Sequence, residues 1–331
     1  RMLPKVKDIN DISEKLKTLF YSGSLQYTLE SAEIENFTWE EQKKFLDATI
    51  SSLVLKKYPV SNAYSRLFFK KLINLLESKQ EVHDDFYTHL CLLMKNNSDD
   101  DEFSYRHYYF GNGHDNLVII KETNKMVVNG TTGMKTWQAS LILCDWLLTN
   151  KNIFIRKNIL ELGSGIGFTG ISVTKFCHIN SIVMTDCHTD VLKTICNNID
   201  INFNNIEKKQ GIKSTCYHLN NSVNLDVILL DWNYIEDLPN NLIPDIILGA
   251  DIVYDPSLLE PLCKVFRLFL NRNCNLEIYI ANIIRNESTW EKFLQNLDTF
   301  NMKWEAMPHE ECIFIQWDRG TQKTLLKIVN K

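Results

Sequence analysis

Long apolar runs are missing from this chain. The most extended, "LILCDWLL" and "LEIYIANII", fall well short of the roughly 18 residues a membrane-crossing helix needs. The first thirty residues hold no apolar run of signal-peptide length, so the expectation is a protein that is neither secreted nor membrane-bound, located in the cytoplasm. The nine cysteines include no CxxC pair, and their scattered spacing suits reduced thiols better than a disulfide framework. Cys177-His178 and Cys187-His188 sit ten residues apart, but one pair should end a helix and the other follow a strand, so no metal site is expected. There is no HExxH, no GxxxxGK[ST] phosphate loop and no GxSxG elbow. Excess positive charge is missing too. A net charge of −5 argues against broad, phosphate-driven nucleic-acid binding.

What is present divides at one place. Up to about residue 95 the chain reads as helical, with apolar positions three and four apart in "EEQKKFLDATISSLVLKKY", "SRLFFKKLINLLESK" and "DDFYTHLCLLMK" and no glycine beyond Gly23. The acidic and polar run "KNNSDDDEF" then reads as a solvated linker. The boundary is placed there, giving a helical region over 1–103, for substrate recognition or support, and a second domain over 104–331. The second domain opens with "SYRHYYF" and "NLVIIKETNKMVVNG", a hairpin around Gly111-Asn112-Gly113.

From Asn158 onward strand-like and helix-like runs alternate. Strands are expected near 159–162, 181–185, 225–230, 245–250, 276–283, 312–317 and 324–329, with helices near 167–177, 189–203, 257–271 and 287–298. Such alternation specifies a parallel, doubly wound α/β sheet. The last two strands, joined only by "DRGTQK", should close it as an antiparallel hairpin.

The glycines of "NILELGSGIGFTGISVTKF" follow the first strand of that sheet. Gly163, Gly165 and Gly167 therefore fall at its carboxyl edge, where ligands of such folds bind and where missing β-carbons let a ligand approach the backbone. Read with an offset, Gly165-x-Gly167-x-x-Gly170 also fits a dinucleotide fingerprint, so glycine spacing alone leaves a nicotinamide cofactor and S-adenosylmethionine both open. Glu161, two residues before the first glycine, favours S-adenosylmethionine, because a carboxylate sits poorly beside a pyrophosphate. Asp186 ends the second strand, where it could accept ribose hydroxyls or merely cap the next helix. Trp232, in "LLDWN", offers a flat surface beside an adenine or serves as a core tryptophan. In "GADIVYDP", Asp251 and Tyr254 stand three apart at the same edge, whereas Asp255 and Pro256 suit a helix start. Upstream, Thr136 and Trp137 begin an amphipathic helix and could wall the pocket.

Taken in order, "TTGMKTWQAS", "ILELGSGIGFTGI", "MTDCH", "LLDW" and "GADIVYDP" resemble the seven-stranded lysine methyltransferases of the methyltransferase-like 21 group, and most of all its branch acting on elongation factor 2. The resemblance covers about residues 104–331. It implies a Rossmann-like, seven-stranded class I methyltransferase sheet with a terminal hairpin. It further implies methyl transfer from S-adenosylmethionine to a lysine of eukaryotic elongation factor 2; a monomer is expected, though not from the resemblance. By position, Trp137, Gly163, Ser164, Gly165, Asp186, Trp232 and Ala250 would line the cofactor, and Asp251 and Tyr254 fill the family's acid-x-x-aromatic motif at the substrate lysine. The tail "PHEECIFIQWDRGTQKTLLKIV" keeps only hairpin character.

The chemistry needs a neutral amine held in line with an activated methyl. A lysine with pKa near 10.4 is neutral about once in a thousand at neutral pH, a cost of roughly 4 kcal/mol. Desolvation and a sulfonium charge lower that pKa, while a carboxylate raises it. Asp251 is therefore assigned to capturing and orienting the lysine and not to general base catalysis, with Tyr254 packing the amine. Other readings are a nicotinamide oxidoreductase, a non-catalytic cofactor-binding interaction module, and a methyltransferase for another protein. Calorimetry should show tight binding of S-adenosylhomocysteine and no binding of nicotinamide dinucleotides; the reverse result would return the chain to the oxidoreductases.

Overall fold

The computed structural model describes residues 5, 9, 11–95, 102–110, 116–123, 125, 127–128, 130–204, 206–211, 214–219, 223–235 and 238–331. The expected linker residues 96–101 and the hairpin turn Gly111-Asn112-Gly113 lie outside them. The chain forms two compact units, Arg1–Met126 and Val127–Lys331.

In the first unit, six helices, α1 (Ile12–Tyr21), α2 (Ser31–Asn36), α3 (Trp39–Thr49), α4 (Leu53–Lys57), α5 (Asn62–Glu77) and α6 (Asp84–Lys95), precede an antiparallel pair, β1 (Phe103–Tyr109) and β2 (Leu117–Thr123). Helix starts are set by side-chain caps: Asp11, Thr38, Ser52 and Ser61 each accept a backbone N–H of the first turn. The apolar faces meet in a core rich in aromatic side chains, among them Phe45, Phe68, Phe69 and Phe86. The hairpin belongs to this unit and not, as the sequence suggested, to the second domain. Its β1 is pinned to the helices, with the Tyr105 N–H donating to the Pro59 carbonyl at 3.0 Å and the buried His107 ring bonding the Tyr58 carbonyl through Nε2 at 2.8 Å. Burial pushes the His107 pKa down to about 4. The ring is neutral, with the Nε2 proton on the Tyr58 carbonyl.

In the second unit, helices α7 (Gln138–Thr149), α8 (Phe168–Phe176), α9 (Thr189–Asn202), α10 (Leu259–Arg272) and α11 (Glu287–Thr299) accompany a nine-stranded sheet. Its strands are β3 (Asn158–Leu162), β4 (Ser181–Asp186), β5 (Glu207–Gln210), β6 (Ser214–His218), β7 (Asn224–Leu229), β8 (Ile246–Ala250), β9 (Glu277–Ile283), β10 (Met302–Ala306) and β11 (Lys323–Asn330), in the order β10-β11-β9-β8-β3-β4-β7-β6-β5. The five central strands are parallel, and their near-continuous apolar runs reflect helices on both faces. Seven strands from β10 to β7 form the expected class I sheet, with β11 antiparallel to both β9 and β10. Strands β5 and β6 extend the β7 edge in antiparallel fashion. No helix among the described residues is long and apolar enough to cross a membrane.

One expected strand is corrected. Residues 312–317 form no strand, and the hairpin partner of β11 is β10. The cause is Asp145, a fully buried carboxylate on α7, a helix covered on nearly every side instead of amphipathic. Asp145 accepts the N–H groups of Ile313 (2.9 Å), Phe314 (2.6 Å) and Ile315 (2.9 Å) and the Trp317 indole N–H (3.2 Å), and it lies 2.9 Å from His309 Nε2. One carboxylate thus supplies the acceptors that a neighbouring strand would have offered, and a buried charge gains the donors it needs. Asp145→Asn, which turns half of the acceptor toward these donors as an amide, should destabilise the unit by about 3–5 kcal/mol. Hydrogen exchange should quicken at the amides of 313–315 before it does in β3 or β8; equal protection in both proteins would refute the anchoring role.

Candidate active site

Strands β3 and β8 lie side by side and parallel, yet the chain continues from β3 to β4 on one side and from β8 to β9 on the other. A crevice opens at their carboxyl ends, as expected for the switch point of a doubly wound sheet. Trp137, Gly163, Gly165, Asp186, Trp232, Ala250, Asp251 and Tyr254 line one cavity there. Glu161 and Ser164 line an adjoining one, together with Trp137, Gly163, Gly165 and Ala250. Ten of the eleven expected site residues therefore meet at one edge. The exception is Gly167, which lines neither cavity and forms the N-cap of α8, where an added β-carbon would lie 3.2 Å from Ile195 of α9.

The glycine loop is shaped by close approach. Gly165 has φ +53° and runs so near Gly133 that a β-carbon would stand 3.1 Å from its carbonyl oxygen. A β-carbon on Gly170 would meet Met184 Sδ at 2.3 Å and Glu161 Oε2 at 2.7 Å, so this glycine serves helix packing. Asp186 anchors the loop from β4: its carboxylate accepts the Gly165 N–H at 3.2 Å and the His188 N–H at 3.1 Å. It does not cap α9, whose N-cap is His188. Burial raises the Asp186 pKa against the pull of those backbone donors.

Beneath the loop Glu161 is buried, and its Oε2 has no hydrogen-bond partner. Burial pushes its carboxyl up to about 8, opposed by Ser164, Thr169 and the Gly170 backbone. An orphaned acceptor beside a side-chain-free loop fits a ligand bearing a cationic or N–H group there, as the methionine end of S-adenosylmethionine does. The acid at the β4 edge and the flat Trp232 ring suit a ribose and an adenine. Among the described residues no group of three or more His, Cys, Asp or Glu side chains could hold a metal.

On the β8 side, Asp251 adopts φ +58°, a left-handed conformation costly for a residue with a β-carbon. Neighbouring strands hold it there. Its N–H donates to the Ala281 carbonyl at 2.8 Å, and its Oδ1 accepts the Ile283 N–H at 3.2 Å. Arg285, just past β9, donates to both carboxylate oxygens, at 3.0 Å to Oδ1 and 2.7 Å to Oδ2. The same guanidinium lies 5.2 Å from the centroid of the Trp137 ring, whose indole N–H donates to the Thr132 carbonyl at 3.0 Å. Arg285 went unmarked in the sequence; the signal was its place as the first charged residue after the apolar β9 run, beside β8. Tyr254 is half-exposed at the mouth. Burial, with Cys187, Asp186 and Asp255 nearby, raises its phenol pKa, and a hydrogen bond with Thr132 opposes the rise. Tyr254 is thus a neutral phenol. Asp255 accepts the Ser257 N–H and hydroxyl in a turn before α10, whose N-cap is Leu258.

Comparison with known proteins agrees with this arrangement. The family model described as "Lysine methyltransferase" matches residues 114–300. Protein-lysine N-methyltransferase EEF2KMT of Homo sapiens is 30% identical over 294 residues, spanning 86% of this chain and 85% of that protein. The protein of the same name from Mus musculus is 29% identical over 314 residues, spanning 89% and 90%. Protein-lysine N-methyltransferase EFM3 of Saccharomyces cerevisiae is 26% identical over 253 residues, spanning 70% and 68%.

The Glu161 carboxyl carries a pH signature. With its pKa raised from 4.5 to about 8, the folded apoprotein binds more protons than the unfolded chain across that window, so stability falls as pH rises through it. Glu161→Gln should flatten this dependence, its thermal midpoint overtaking that of the parent as pH climbs toward 8; parallel curves for the two proteins would contradict a buried, neutral carboxyl.

Proposed function

The chain belongs to the lysine methyltransferase family and is an S-adenosylmethionine-dependent enzyme; from that premise we propose that its substrate is a lysine of eukaryotic elongation factor 2. What carries the methyltransferase reading is the meeting of Glu161, the glycine loop and Asp186 with Asp251 and Tyr254 at one edge of the sheet. What supports the substrate is the likeness, over most of the chain, to the human and mouse proteins named EEF2KMT.

S-adenosylmethionine supplies a methyl already activated by its sulfonium, so no strong acid is required of the protein. Glu161 and the loop of Gly163, Ser164 and Gly165 would hold the methionine end. Asp186, kept in place by the Gly165 and His188 amides, would take the ribose hydroxyls. Trp232, Trp137 and Ala250 would enclose the rest. Asp251 would orient the lysine amine through a lone pair left over from its three donors, since a carboxylate has about four such positions. Tyr254, a neutral phenol at the mouth, would pack against the incoming side chain and help exclude water. The helical unit is assigned to recognition or support of the protein substrate. The free thiols of all nine cysteines support a reducing compartment such as the cytoplasm, and the acidic charge balance supports work on protein and not on nucleic acid.

Labelled S-adenosylmethionine added with the enzyme to a eukaryotic lysate lacking this activity should place label on one lysine of elongation factor 2, and Asp251→Ala should abolish it. Label in a different protein would discard the proposed substrate. Full labelling by Asp251→Ala would discard the role of that residue.

A further inference from the structure

A carboxylate at the point where the amine must lose its proton is a chemical contradiction. An unpaired Asp251 would stabilise the lysine ammonium, whose nitrogen has no lone pair to give. The geometry around Asp251 removes the contradiction. Arg285 meets both carboxylate oxygens, the strongest form of such a pair, so the acid and its partner present no net charge to the cleft while a hydrogen-bond acceptor remains. Asp251 is nearly buried, whereas the Arg285 side chain is 47% exposed. The guanidinium therefore keeps contact with solvent, braced against Trp137 and paired with Asp251, two residues that line the cleft.

We propose that Arg285 is a positioning residue that sets the protonation state of the substrate amine, holding Asp251 as a neutral pair so that the lysine binds as the free amine. This rests on the lysine methyltransferase reading above but not on the identity of the protein substrate. The step balances as follows: the lysine ammonium releases one proton to solvent on entering the cleft; its nitrogen lone pair forms the new bond to the methyl carbon; the carbon–sulfur bond breaks with its electrons passing to sulfur. The other titratable groups around the cleft do not replace Arg285. Asp186 and Cys187 face it from β4, Asp231 from the end of β7, and Tyr254 and Asp255 from the segment after β8. Each of these is neutral or negative, so they either leave the lysine pKa unchanged or raise it. Glu161 lies beneath the loop, its carboxyl pushed up to about 8 by burial in the unliganded protein. Lys135 lines the adjoining cavity with Glu161, and Arg285 is the cation that meets the carboxylate of Asp251.

The test follows initial rates of label transfer, as a function of pH, into whichever lysate protein the parent enzyme labels. Arg285→Gln should move the rising limb of the profile to higher pH by about one unit or more, which is about a tenfold loss near neutrality that disappears in alkali. Arg285→Lys should restore much of the midpoint. Asp251→Asn added to Arg285→Gln should bring the midpoint back although the rate stays low, because the cleft is again uncharged. A second readout does not depend on turnover: with S-adenosylhomocysteine bound, calorimetry in buffers of different ionisation enthalpy should show close to one proton released when the parent enzyme binds that purified protein, and fewer with Arg285→Gln. A rate lowered equally at every pH, or unchanged proton release, would reduce Arg285 to a structural brace and overturn the proposal. Label in a protein other than elongation factor 2 would change the proposed substrate and leave this result standing.

Discussion

The arrangement of the site depends on the reversal of direction between β3 and β8. Because these strands are parallel neighbours whose connections depart toward opposite sides of the sheet, no crossover fills the space above their carboxyl ends. Backbone turning sharply out of both strands then becomes the wall of a cleft. On one side the turn is made of glycines at positive φ; on the other it is made by Asp251, which takes the same unusual conformation with a side chain attached. That difference fits the division of labour. A cofactor needs a wall without side chains, whereas a substrate amine needs one acceptor at a fixed place.

Two carboxyl groups in this cleft are managed by opposite means. Burial governs Glu161 and pushes its carboxyl up to about 8 in the unliganded protein. Asp251 is kept in place by an arginine and a backbone amide, at the expense of a strained backbone. A cleft that must accept a positively charged cofactor together with an amine is served by one acid whose charge burial holds back until a cation arrives and one acid compensated by an arginine.

Much of this was legible in the chain because the relevant signals are local. Strands β3, β4, β8 and β9 are buried on both faces and, with the half-buried β7, read directly as apolar runs, and the helices between them end within a residue or two of where periodicity places them. What escaped depends on partners distant in sequence. The alternation in "CIFIQW" marks burial, but it does not say whether the amides meet a strand or, as here, the carboxylate of Asp145. β10, "MKWEA", and β5, "EKKQ", lie on exposed edges where the apolar pattern fades. The assignment of the β1–β2 hairpin turned on His107 and Tyr105, whose acceptors on Tyr58 and Pro59 lie some fifty residues upstream. Arg285 looks like any charge after a strand until β9 is known to lie beside β8.

The hold of Asp145 on the loop before β11 also bears on how this domain can be recombined. A helix preceding the first parallel strand and a loop near the end of the chain share one buried charge, so they form a single inheritable piece despite about 170 residues of separation. A chimera that exchanges the last third of the domain between relatives would leave either an unaccompanied carboxylate or a loop of orphaned amides, unless α7 travels with it. Every parallel strand lies between α7 and that loop, so a single crossover anywhere in the parallel part of the sheet would separate the carboxylate from its amides.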